Sequence, residues 1–119
     1  MDERIRFISH QGKQILLVDF SMSSAAEAEK IARTAPDFVT AQPRGSVLLL
    51  ADFTGASFNR EALLTMKESA VFNKPHIRKS AWIGAESLPA AFCEDIKRFS
   101  RREISIFKTR KEALAWLAG

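Results

Sequence analysis

Asp52, Thr54, Gly55 and Ser57 stand together between an apolar run, Val47 to Ala51, and a helical pattern that begins near Asn59. A carboxylate, two hydroxyls and a glycine at a strand-to-helix turn are residue types that gather ligands. The carboxyl end of a parallel strand is where such ligands collect, because loop and helix-start N–H groups converge there. The same residues also suit an ordinary tight turn. Asp52 and Thr54 then satisfy turn backbone, and Gly55 supplies a positive φ. Both readings stand on these residues. A phosphate cradle is not spelled out, since the turn has one glycine and lacks the lysine-bearing run of a P-loop. There is no dinucleotide-binding glycine triplet.

Nucleophilic catalysis would need a hydroxyl, a positioned histidine and an orienting acid. The chain has two histidines, His10 in a hairpin turn and His76 beside Pro75. A pairing of His76 with Ser57 or Thr54 across one edge of a sheet is conceivable, but nothing local enforces it. Two isolated histidines and one cysteine, none at ligand spacing, do not build a metal site. Cys93 follows Phe92 on a helix with Leu88, Phe92 and Ile96 in its apolar stripe, so its sulfur is expected to be partly buried and inert. These residues point away from an enzyme and call for no cofactor or metal.

Charge is unevenly placed. Residues 1–60 carry seven basic and seven acidic side chains, and residues 61–119 carry eleven and seven, so the net +4 lies in the second half. Lys97, Arg98, Arg101 and Arg102 end a helix, where cations complement the negative terminus. Lys74, Arg78 and Lys79 extend a possible basic edge. Nucleic-acid binding is not expected, because the aromatics that usually interleave with such charges are missing apart from Phe99.

At 119 residues, 46% hydrophobic and 27% charged, the chain suits one folded domain with a real core. No apolar stretch approaches the roughly 20 residues of a membrane span. Met1-Asp2-Glu3-Arg4 opens on acidic residues and is not expected to begin a signal peptide, and a lone cysteine makes no internal disulfide. The cytoplasm is the expected compartment.

The elements that must position these residues are legible from period and punctuation. Arg4–Ser9 and Gln14–Phe20 read as strands around a glycine-containing hairpin at 10–13. Ser24-Ala25-Ala26-Glu27 is a capping box opening a helix with Ala28, Ile31, Ala32 and Ala35 inward. Pro36 is expected to end that helix near Thr34 or kink it. Ser46–Phe53 is the central strand. Asn59 caps a helix with Ala62, Leu63, Met66 and Ala70 inward, stopped by Pro75. Ser80–Gly84 is a fourth strand. Leu88, Phe92, Ile96 and Phe99 mark a third helix, with Pro89 in its first turn. Ile104–Phe107 is the last strand, and Thr109-Arg110-Lys111-Glu112 caps a final helix carrying Ala113, Leu114 and Leu117. The order β-β-α-β-α-β-α-β-α predicts a single α/β domain over 1–119. Its central sheet of about five strands is mostly parallel, with an N-terminal antiparallel hairpin and four helices. Trp82 and Trp116 read as packing residues.

That order, with the Ala51-Asp52-Phe53-Thr54-Gly55-Ala56-Ser57-Phe58 turn, resembles the STAS domain of bacterial anti-sigma-factor antagonists and some anion-transporter tails. It is more similar still to small stand-alone bacterial STAS-like or CRAL-TRIO-like proteins. Leu17-Val18-Asp19-Phe20, Phe72-Asn73-Lys74-Pro75, Arg98 to Arg102 with Ile106-Phe107, and Ala113 to Leu117 carry the rest of the likeness. The resemblance implies a non-enzymatic protein-interaction or regulatory module. Antagonists of the sigma-regulatory type carry a phosphorylatable serine just past this turn. Glu61 occupies or adjoins that place here, and Ser57 and Thr54 fall earlier, so the usual phosphoserine switch is not expected. A carboxylate at Glu61 also complements the helix dipole by itself.

The expected contact surface runs from Thr54 to Leu64, including Ser57, Arg60 and Glu61, with Lys74, His76, Arg78 and Lys79 beside it. Its expected occupant is a protein partner. The CRAL-TRIO likeness implies an alternative, a carrier or sensor of a small apolar or lipid-like ligand. Core aromatic or flexible residues Phe53, Phe58, Met66, Phe72, Phe92 and Phe99 suit it, while a core this small resists a large pocket. A homodimer through the edge hairpin at Arg4 to Phe20 is a third arrangement, though Arg4 and Arg6 suit edge protection.

Overall fold

The computed structural model describes residues 4–100 and 104–119. β1 (Ile5–His10) and β2 (Lys13–Asp19) form an antiparallel hairpin, with His10 opposite Lys13. Gln11 and Gly12 both take positive φ, 52° and 77°, as a two-residue turn that matches the strand twist requires. β2, β3 (Val47–Asp52), β4 (Ile77–Ile83) and β5 (Ile104–Phe107) are parallel, and the sheet order is β1-β2-β3-β4-β5.

Strands added in one direction with crossovers of one hand put every crossover helix on the same face. α1 (Ala25–Val39), α2 (Arg60–Asn73) and α3 (Ala90–Ser100) all pack there, over Leu16, Val18, Leu49, Ala51 and Trp82. α4 (Arg110–Ala118) covers the opposite face, setting Ala113 and Leu117 on Ile15, Leu17, Leu50, Ala81 and Ile83. β2 and β3 are therefore apolar on both faces, which is why they read as continuous runs.

The helix starts follow their caps. Ser24 and Thr109 each accept from the backbone of the glutamate three residues on, and that carboxylate reaches back to the cap N–H. Asn59 accepts from Ala62 N at 2.9 Å. Two boundaries need comment. Of the two outcomes expected at Pro36, an end near Thr34 or a kink, the first does not occur, and α1 runs through Pro36 to Val39. Burial of Ala35 and Val39 favours the last turn, and the Thr40 N–H and hydroxyl both donate to the Pro36 carbonyl, at 2.9 and 2.7 Å. β4 starts at Ile77, not Ser80. A register shift pairs Val47 with Ile77 and Leu48 with Lys79, leaving Arg78 as the extra residue of a bulge. Arg101 and Arg102, part of the expected basic group, lie outside the described residues.

Candidate functional site

β2 and β3 both end in Asp-Phe, and in the parallel register Asp19 stands opposite Asp52. Neighbouring strands lie about 4.8 Å apart, so paired residues put two carboxylates side by side on the α4 face. Arg110, the first residue of α4, bridges them. Its Nε donates to Asp52 Oδ2 at 2.8 Å, and its Nη2 lies 3.3 Å from Asp19 Oδ2. A cation in the first turn of a helix opposes the dipole, and the two carboxylates offset that. Burial alone would raise the Asp19 carboxyl, but bonds from Ser21 and the Arg110 charge outweigh it and hold its pKa below the usual value. Burial likewise works against the Arg110 cation, and the Asp52 bond and both negative charges push its pKa above the ordinary one.

The remaining oxygens of the two aspartates tie down the loops that follow. Asp19 Oδ1 accepts from Ser21 N at 2.9 Å and Asp52 Oδ1 from Thr54 N at 3.0 Å. Those loops then zip together: Phe20 N donates to Asp52 O, Met22 N to Thr54 O and Ser57 N to Ser23 O, at 2.8 to 2.9 Å. Arg4 closes the far side, its guanidinium donating to Ser21 O at 2.6 Å and Asp19 O at 3.2 Å. Ala56 N donates to Phe53 O at 3.0 Å. The turn donors at 54, 56 and 57 are thus committed to protein acceptors, and they do not form an anion cradle. Gly55 has φ +66°, and a Cβ there would collide with the Met22 sulfur. Gly84, φ +71°, lets the turn after β4 touch Thr54, whose Cα and Oγ1 would sit 2.7 and 2.8 Å from an added Cβ.

This carboxyl edge gathers Asp52, Thr54, Gly55, Ser57, Arg60 and Glu61. Asp52 is buried and the others are exposed. Lys74, His76, Arg78 and Lys79 are not beside them. β3 and β4 are parallel, so the turn after Asp52 and the segment before Ile77 lie at opposite ends of the sheet. α2, 14 residues and roughly 21 Å long, spans the distance between them. His76 therefore does not meet Ser57 or Thr54. Its Nδ1–H donates to the Gln42 carbonyl at 2.8 Å, since a carbonyl only accepts. Lys79 Nζ donates to Trp116 O at 3.3 Å and sits 4.9 Å above the Trp116 ring. Among the described residues, no three metal-ligating side chains converge.

Two features escaped the sequence reading. Met22 is 76% exposed and holds a φ of +57°, on the loop zipped to the 53–57 turn. Between the sheet and the three crossover helices lies a cavity of about 70 Å³, walled by Phe20, Phe53, Trp82 and Phe92 and reached by Ser69 and Asn73 of α2. The pairing of Asp19 with Asp52 was missed as well, and the doubled Asp-Phe is the signal that could have found it. A serine and an asparagine at the inward spacing of Ala62 and Ala70 could have shown the polar lining of the cavity. Comparison with protein-family models, curated proteins and solved structures finds no match for the chain.

Proposed function

We propose that the chain is a non-enzymatic interaction or regulatory module of STAS type, working in the cytoplasm. It engages a protein partner through the carboxyl edge and does so without a phosphoserine switch. The observation that carries this reading is Met22. A left-handed conformation costs a side-chain-bearing residue about 1–2 kcal/mol, and a large apolar side chain gains nothing by standing in water. Backbone strain held at an exposed edge is a feature of working surfaces. Thr54 and Ser57, on the turn zipped to the Met22 loop, set polar groups beside it, as a rim flanks an apolar anchor. Asp19, Asp52 and Arg110 beneath serve to hold the two loops in register.

The test separates surface from stability. Met22→Gly relieves the backbone strain, so its unfolding free energy stays within about 0.5 kcal/mol of wild type or rises. The same variant, and the triple change at Ser57, Arg60 and Glu61, lose a partner captured stoichiometrically by wild type. A Lys74/Arg78 double change at the opposite edge keeps it. Retention of the partner by the Met22 and triple variants refutes the surface.

A second reading, a carrier or sensor of a small apolar ligand, is supported by the aromatic cavity. Its volume of about 70 Å³ is far below the ~300 Å³ of pockets for drug-sized molecules. The candidate ligand is therefore small, not a long-chain lipid.

A further inference from the structure

Parallel pairing puts a second set of loops at the amino edge of the sheet, far from Asp52 and the turn that follows it. A groove of about 330 Å³ opens there between the β1–β2 hairpin, the loop after α1 and the first residues of β4. That volume lies within the ~300–1,000 Å³ of sites for small molecules. Its ionisable lining is Lys13 and Arg78, two cations and no acid. Both side chains are exposed, and neither has a partner among the described residues.

The common reasons for surface cations do not account for this pair. Cations at helix carboxyl ends complement the dipole, but Lys13 opens β2 and Arg78 stands in β4. Arg78 is moreover the extra residue of the bulge between β3 and β4. Bulges are rare between parallel strands. They interrupt the ladder, re-aim a side chain and gather near working sites. Beneath the two cations the floor is apolar, with Leu16 and Val47 buried and Phe7 and Leu48 half-buried. Gln14 and Gln42 add side-chain amides that have no partner among the described residues and can donate to oxygen.

We propose that this groove binds a small phosphate monoester carried on a compact apolar body, with Arg78 and Lys13 holding the phosphate. A phosphate monoester bears close to two negative charges at pH 7, which the two cations match. The Arg78 guanidinium takes two phosphate oxygens side by side, and the Lys13 ammonium supplies a point charge. The apolar body rests on the floor between β1 and β3. The site lies at the opposite edge from the proposed partner surface, so each stands or falls without the other.

Phenyl phosphate is the probe, titrated into the full chain by calorimetry, with inorganic phosphate and benzoate as separate comparisons. Phenyl phosphate should bind saturably and more weakly as salt rises. Inorganic phosphate lacks the apolar body and benzoate lacks the second charge, so each should bind about tenfold more weakly. Lys13→Gln and Arg78→Gln, both at exposed positions, should each weaken phenyl phosphate about tenfold with Tm unchanged. Lys74→Gln removes the same charge from the same edge outside the groove and should leave the affinity within about twofold. No saturable binding of phenyl phosphate overturns the proposal, as does an equal loss in Lys74→Gln, which would make the effect one of net charge. Equal affinity for inorganic phosphate or for benzoate overturns the assignment of a phosphate monoester.

Discussion

Replacing Arg110 by methionine removes the guanidinium that joins the ends of β2 and β3 to α4 but keeps an apolar stem over the sheet. The cost follows from the surroundings. Arg110 makes contacts of 2.8 and 3.3 Å to carboxylates whose side chains are 7% and 19% exposed. Breaking a fully buried pair costs 3–5 kcal/mol. Arg110 is itself 40% exposed, so solvent screens part of the interaction, and Asp52 keeps its bond from Thr54 N. The expected loss is about 2 kcal/mol, or roughly 6–10 °C in Tm for a domain of this size.

The pH dependence gives the loss its signature. Asp19 has a depressed folded pKa, so its contribution is fully present above the unfolded carboxylate value and fades as pH falls through the folded one. The gap between wild type and Arg110→Met should therefore be constant from about pH 5 to 8 and shrink below about pH 4 as Asp19 takes up its proton. Urea unfolding followed by tryptophan fluorescence at about pH 7 and about pH 3 measures it. A difference under about 0.5 kcal/mol at neutral pH, or an equal difference at both, would refute the reasoning.

Gly84→Ala and Gly12→Ala incur the same positive-φ cost, with φ of +71° and +77°, but only the first drives a Cβ into the Thr54 backbone, while Gly12 faces open space. Gly12→Ala should cost about 1 kcal/mol and Gly84→Ala about 2–4; equal losses in chemical denaturation would remove the contact from the explanation. Burial raises the Cys93 thiol pKa, Glu94 adds to it and Lys97 opposes. Alkylation by iodoacetamide should accordingly be slower in the folded than in the unfolded chain at about pH 8, with a rate still climbing past pH ~9; a plateau below the ordinary thiol value would contradict this.

Much of the fold was legible because its signals are local. Capping boxes at Ser24 and Thr109, the Asn59 cap and the two-residue turn at Gln11-Gly12 act over three or four residues of chain, so the sequence alone marks them. The unbroken apolar runs Ile15–Val18 and Val47–Ala51 reveal strands buried on both faces, and alternation with helices makes them parallel. The turn at 52–57 was visible for the same reason, as was the burial of Cys93's neighbours along one helical stripe.

What the sequence could not decide depends on which distant segments meet. Pro36 is a local stop signal, and burial of Val39 overrode it. His76 and Lys79 were expected beside the Ser57 turn, along one edge of the sheet. Parallel pairing of β3 with β4 instead sends them to the other end of the sheet. Asp19, Asp52 and Arg110 are separated by 33 and 58 positions, and only the register of β2 on β3 with α4 packed across it brings three charges within bonding distance. The cavity is equally non-local, since its walls come from two strand ends, β4 and three helices. Sequence determines the propensity and periodicity of each element, whereas the empty space and the unpaired Asn73 oxygen arise from the way the assembled elements fail to fill the volume between them.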